Sequence, residues 1–155
     1  MLLVSIPRLQ MRKAMNRSVS VSGLNSFLHW PAVTSDSRNV VKPSPELNYS
    51  VAVIDLSNGP LEIILEQCPE VYCSVSLYAP NSDNFQVMNC DGLTRVHLCI
   101  YRKEKPGYLG GQTVKMVKSH AVRAVLVVRS ICAEKDSSAK SMTFRIRCPV
   151  LSSAA

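Results

Sequence analysis

The stretch "HAVRAVLVVRSIC", His120 to Cys132, decides how the rest of the chain is read. Valine, alanine, leucine and isoleucine dominate it, broken by Arg123 and Arg129. As a strand it turns Val122, Ala124, Leu126 and Val128 inward and sets both arginines on the opposite face. As a helix it extends an apolar stripe through Val114, Val117, Ala121, Ala124, Val125 and Val128. The run from Gln112 to Glu134 holds neither Gly nor Pro, which suits a helix. Its valine content suits a strand, because β-branched side chains lose rotamer freedom in a helix. The neighbouring segments tip the reading to β, with one helix within 112–134 as the alternative.

Those neighbours alternate with period two. "PLEIILE" places Leu61, Ile63 and Leu65 on one face and Glu62 and Glu66 on the other. "VYCSVSLYA" sets Val71, Cys73, Val75 and Leu77 against Tyr72, Ser74, Ser76 and Tyr78. "LTRVHLCIY" turns Val96, Leu98 and Ile100 inward, with Arg95, His97 and Tyr101 outward. "MTFRIRC" turns Met142, Phe144, Ile146 and Cys148 inward, with Arg145 and Arg147 outward. Alternation of this kind marks half-buried strands of a mostly antiparallel sheet system. Turn residues separate the runs at Asn58-Gly59-Pro60, "APNSD", Asp91-Gly92, Pro106-Gly107 and Gly110-Gly111. Asp91-Gly92 reads as a two-residue hairpin. About seven or eight short strands imply an antiparallel β-sandwich or jelly-roll-like domain.

The first forty residues differ. "RLQMRKAMNRSVSVSG" is basic and Ser-rich, and Leu24, Phe27, Leu28 and Trp30 could line a short helix ended by Pro31. Pro43 and Pro45 then enforce an extended linker. The boundaries that follow are an arm at 1–42, a linker at 43–48, a β domain at 49–150 and a tail at 151–155.

Charge is segregated along the chain. Residues 1–42 carry six basic residues and one acid, residues 43–94 carry seven acids and no Lys or Arg, and residues 95–155 carry twelve basic residues against three acids. The net charge is +7. Like charges facing one another across strands destabilise a sheet unless something neutralises them. The expected neutraliser is an anionic surface, nucleic acid or lipid, met by Arg8, Arg12, Lys13 and Arg17 of the arm. The C-terminal block adds Arg95, Arg102, Lys103, Lys105, Lys115, Lys118, Arg123, Arg129, Arg145 and Arg147. Glu62, Glu66 and Glu70, with Phe27 and Trp30, are the expected self-association contacts, the acids meeting a neighbouring copy's basic strands to give a homo-oligomer. Pairing within one chain is the equal alternative.

Catalytic signals are thin. Only His29, His97 and His120 could serve as imidazole bases, and only His97 and Cys99 share a strand face closely enough to pair. "GYLGGQT" matches neither phosphate-binding glycine pattern. The six cysteines have irregular gaps and no C-x-x-C, so they read as buried free thiols, and neither metal nor cofactor is expected. The expectation is a non-enzymatic protein, with a small cysteine-dependent enzyme as one alternative. No apolar run reaches the roughly 18 residues of a membrane-spanning helix. "MLLVSIPRL" has no charged region ahead of its apolar one, so a secretory signal is not expected. An intracellular setting, cytoplasm or virion, follows. A mitochondrial one is the alternative, because residues 1–35 hold four basic residues, several serines and no acid.

A basic arm, a proline-containing linker and a β domain ending in "SMTFRIRCPVLSSAA" resemble the plan of small viral structural proteins. Thr143–Cys148 is similar to the last strand of jelly-roll coat proteins from small plant RNA viruses, and matrix-type proteins share the charge layout. The resemblance implies self-assembly and binding to nucleoprotein or an anionic membrane.

Overall fold

A computed structural model describes residues 2–30, 48–107, 114–131 and 142–149. They form a helix, α1 (Leu2–Ser22), and nine strands: β1 (Phe27–Trp30), β2 (Asn48–Asp55), β3 (Leu61–Glu66), β4 (Tyr72–Tyr78), β5 (Asn84–Asn89), β6 (Arg95–Tyr101), β7 (Lys115–Lys118), β8 (Arg123–Ile131) and β9 (Thr143–Arg147). Two sheets face each other, one ordered β1-β2-β8-β4-β5 and the other β7-β6-β3-β9. The chain is a β-sandwich. Among the described residues every strand pair is antiparallel except β6–β7.

Within His120–Cys132, residues Arg123–Ile131 form β8, the middle strand of the five-stranded sheet. Its inward residues Leu126 and Val128 join Ala52, Ile54, Val75 and Leu77 in the core between the sheets. Its outward Val125 and Val127, with Val51 and Val53 of β2 and Tyr78, meet Met11, Met15, Val19 and Leu24. Burial on both faces removes the polar half of the alternation, which is why this run resembles a helix in sequence. Within 114–131 the structure has β7 and β8 and no helix.

The helix is where the arm was expected. Met11, Met15, Ser18, Val19 and Ser22 recur at helical spacing and lie toward the sheet, while Arg12, Lys13 and Arg17 are exposed. Gly23 ends α1 at φ +81°, and its N–H donates to the Val19 carbonyl at 2.9 Å. Asn25 then fastens the end of α1 to β2: its N–H donates to Val53 O and its Oδ1 accepts from Asp55 N–H, both at 2.8 Å. Residues 27–30, expected at the end of a short helix, instead pair with β2 as an edge strand. Phe27 and His29 both lie against Phe144 of β9, with centroids 5.0 and 4.6 Å away, so one side of the sandwich closes on an aromatic seam. Phe27 is therefore used within the chain, and Trp30 pairs with Tyr49 through the backbone register. The linker at 43–47 and the tail at 151–155 lie outside the described residues.

The turns sort differently from expectation. "APNSD" does close a hairpin, β4–β5, with Ala79 N–H donating to Asp83 O at 2.8 Å. Asp91-Gly92 does not, because β5 and β6 belong to different sheets. Gly92, at φ +66°, turns a corner from one sheet to the other. Two residues expected to face inward do not. Val71 lies outside β4 and is exposed, and Cys148, one residue beyond β9, is exposed too.

Candidate functional site

The acidic and basic blocks of the sequence meet inside the four-stranded sheet. β3 carries Glu62 and Glu66 and lies between β6 and β9, which carry Arg95, His97, Arg145 and Arg147. Glu62 stands opposite Arg147 in register, and Arg147 Nε donates to Glu62 Oε2 at 2.7 Å. His97 Nε2 lies 3.3 Å from the other oxygen, Oε1. Glu66 meets Arg145 at 3.2 Å and Arg95 at 3.8 Å, and accepts from Thr143 Oγ1 at 3.3 Å. Acid flanked by base on both sides is the favourable cross-strand arrangement, worth about 0.2–1 kcal/mol per exposed pair.

Burial separates the two rungs. The Glu62 side chain is 2% exposed and Glu66 31%. The sequence reading placed Glu62 on the correct face of β3 but expected water there; the carboxylate is buried and held by Arg147 and His97. Glu66 is also engaged within the chain, and Glu70 is exposed in the loop after β3. Pairing of the acidic and basic strands within one chain accounts for the charge that motivated self-association through Glu62 and Glu66. Cys99, opposite Glu62 in register, is fully buried, and thiol chemistry needs access to solvent.

The other predicted anion contacts divide in the same way. Arg123 is tied to Asp55 at 2.9 Å. Asp55's carboxyl is held below its usual range by hydrogen bonds from Ser57, with Arg123 adding to the effect. Arg129 reaches Ser76 Oγ at 3.4 Å and Tyr78 OH at 3.1 Å on the outer face of the other sheet. Arg12, Lys13 and Arg17 project from α1, on the opposite side of the molecule from the four-stranded sheet. For Arg8 only its place in α1 is described.

Arg102, Lys103, Lys105, Lys115 and Lys118 behave differently. β7 is the edge of the four-stranded sheet, and Lys118 stands beside Tyr101 in register. Arg102, Lys103 and Lys105 follow immediately in the loop after β6. All five are exposed, and none makes an ion pair among the described residues. Glu104 is the one acid among them.

A second cluster was not foreseen. Cys68, which follows β3, Cys73 of β4 and Cys90, which follows β5, bring their sulfurs within 4.8 Å of one another, all three buried. Cys73 and Cys90 face each other at the end of the β4–β5 hairpin, with Cys90 N–H donating to Cys73 O at 2.8 Å and their sulfurs 2.9 Å apart. Asp91 Oδ1 accepts from Cys73 N–H at 2.6 Å, and Cys68 N–H donates to Leu93 O at 3.0 Å, so the two loops fasten each other. The thiols share hydrogen bonds: donation from Cys73 and Cys90 lowers Cys68 to about 4, while Cys73 is pushed up and Cys90 rises to about 12. Spacing rules miss the cluster because the ligands come from three strand ends and not from one knuckle.

The fold has relatives among solved structures. The VPA0106 protein from Vibrio parahaemolyticus superposes with a TM-score of 0.63 at 11% identity, over 93% of this chain and 36% of that one. An uncharacterised protein from Burkholderia cenocepacia superposes with a TM-score of 0.55 at 12% identity, over 94% of this chain and 40% of that one. At these identities the likeness is one of fold, and the chain spans well under half the length of either protein. No curated protein matches the chain in sequence. The expected kinship with viral coat and matrix proteins is overturned, because these matches are bacterial and the sequence pattern described as "Protein of unknown function (DUF1254)" matches residues 24–148. The likeness of Thr143–Cys148 to a coat-protein strand reflects only the alternation of any half-buried edge strand. With most of its length inside that match, the chain belongs to the DUF1254 family.

Proposed function

We propose that this chain is a non-enzymatic β-sandwich module that binds a phosphate-bearing anionic surface along its β7 edge. One observation carries the reading. Arg102, Lys103, Lys105, Lys115 and Lys118 cluster at that edge with no ion pair among the described residues, while the arginines of β6, β8 and β9 are held by partners within the chain. Lysines on an edge strand also discourage pairing with another strand, which keeps the edge available to a diffuse anionic partner. Against an enzymatic reading stands the burial of Cys99 and of Glu62, which leaves substrate no approach to the pair with His97.

Phospholipid headgroups and nucleic-acid backbone share the chemistry that would meet these cations, and the test separates them. Lys115→Glu with Lys118→Glu should weaken binding to anionic vesicles at least about 30-fold, at about 1 kcal/mol per basic residue near the surface. Neutral vesicles should not bind the wild type. If RNA is the partner, its affinity should fall in the same variant and the dependence on log[salt] should become shallower by about one to two. Arg145→Glu should have the smaller effect, since that side chain already faces Glu66. Unchanged binding to both polyanions, with the circular dichroism of the variant intact, would mean that the β7 edge is only solvated.

A further inference from the structure

We infer that Cys68, Cys73 and Cys90 form a three-sulfur site for a thiophilic d10 cation, and that Cu(I) fits it better than Zn(II). The geometry is close to preformed. Three sulfurs around one ion at a metal–sulfur distance of about 2.3 Å lie about 4 Å apart. The cluster is within small side-chain shifts of that arrangement: Cys73 and Cys90 are 2.9 Å apart, so that pair must open by about 1 Å, and no sulfur lies more than 4.8 Å from another. Soft thiolate ligands select Cu(I) and Zn(II) over harder ions. Coordination number then separates the two. Structural Zn(II) takes four ligands, and among the described residues no fourth His, Cys, Asp or Glu joins the group. All three cysteines are buried at the end of the apolar core, so water is a poor substitute for that ligand. Cu(I) is satisfied by two or three sulfurs.

Glu70 and Val71 on one loop and Asp91 to Thr94 on the other, neighbours in sequence of the three cysteines, are exposed. The consequence of binding is mechanical as well as chemical. Cys68 continues the four-stranded sheet, and Cys73 and Cys90 belong to the five-stranded one, so an ion bound to all three clamps the two sheets together at this end.

The test is anaerobic titration of the full, TCEP-reduced chain with Cu(I) buffered by bicinchoninate, with Zn(II) as a parallel arm. One Cu(I) per chain should be withdrawn from the chelator, and X-ray absorption of the wild-type complex should show a shell of sulfur alone. The midpoint of thermal unfolding should rise with Cu(I). Cys68→Ser should weaken retention at least 100-fold, and Cys148→Ser, which removes an exposed thiol outside the cluster, should change nothing. Because a serine in the core could itself unfold the chain, the wild-type spectrum and stoichiometry stand as independent checks. No Cu(I) taken from the chelator by folded, reduced protein would overturn the proposal. So would a Cys73–Cys90 disulfide that survives the reductant, or oxygen and nitrogen in the first shell. Tighter retention of Zn(II) than of Cu(I) would overturn the choice of ion.

Discussion

Arg147→Ala should destabilise the fold more than Glu62→Gln, although the two remove opposite ends of one ion pair. The asymmetry follows from exposure. Arg147's side chain is 46% exposed and Glu62's is 2%. Losing the arginine leaves a carboxylate that cannot reach water with its guanidinium partner gone and His97 still beside it, and breaking a buried pair from that side costs up to about 3–5 kcal/mol. Losing the carboxylate charge leaves a guanidinium that can turn outward and hydrate, while glutamine keeps the shape, so the cost should be about 1–2 kcal/mol. For a chain of this size the difference is a drop in unfolding midpoint of roughly 10 °C for Arg147→Ala and a few degrees for Glu62→Gln. Adding Glu62→Gln to Arg147→Ala should restore part of the loss, because the buried charge that lost its guanidinium is then gone. Glu62→Lys places a third basic group beside His97 and Arg147 in a closed space, and should leave no cooperative transition at all. Glu66→Gln, at the exposed rung, should move stability by no more than about 1 kcal/mol. Thermal melts of these variants decide the matter, and equal losses from Arg147→Ala and Glu62→Gln would refute a buried, charge-dependent role for Glu62.

Removing residues 1–24 should yield a chain that aggregates and binds hydrophobic dyes. Read as sequence, those residues belong to an arm at 1–42 that a proline-containing linker sets apart from the β domain. In the structure α1 and Leu24 cover Val51, Val53, Val125 and Val127 on the outer face of the five-stranded sheet. Val53 and Val125 are buried beneath that cover, and each contributes about 1.5–3 kcal/mol while it lasts. The truncation also removes Asn25's helical neighbours, though not its bonds to β2. Met15→Asp is a gentler version that buries a charge against the same valines and should lower the midpoint without abolishing the fold. Gel filtration and dye binding read both. A truncated monomer melting like the full chain would show that the helix rides on the sheet without supporting it.

Strands with polar residues at alternate positions were legible from sequence. β3, β6 and β9 alternate because their outer faces carry Glu, His and Arg and their inner faces Leu, Ile, Val and Phe, although Glu62, Ile64 and Cys99 on the outer side are buried too. β8 was ambiguous because a helix covers its far side. α1 was hidden for a related reason: its buried stripe relies on Met and Ser, which look like a polar arm when strong hydrophobes are expected. Phe27 to Trp30 passed for helix since four residues of edge strand hold too few alternations to declare a period. The charge layout was read correctly as segregated, but sequence alone does not say which strands become neighbours. That pairing is a long-range fact, and it moves Arg95, Arg145 and Arg147 from free cations to partners of Glu62 and Glu66. The thiol cluster was partly within reach. Cys73 and Cys90 are equidistant from the "PNSD" turn, so a hairpin there places them opposite each other; bringing Cys68 to them required knowing how the two sheets stack.

The position of β8 has a consequence for how the protein is made. β2 and β4 are both synthesised well before the strand that lies between them, and 68 residues separate Asp55 from its partner Arg123. A ribosome that has not yet passed Ile131 carries a chain with two facing strand edges and nothing to satisfy them. Such edges invite pairing with other chains, and closure over so long a loop is slow compared with local hairpins. The five-stranded sheet therefore completes only late in, or after, translation, and the interval before β8 arrives is the chain's period of greatest exposure to misassembly. Slower synthesis at low temperature shortens nothing in that order of events, but it lowers the concentration of unfinished chains that can find one another.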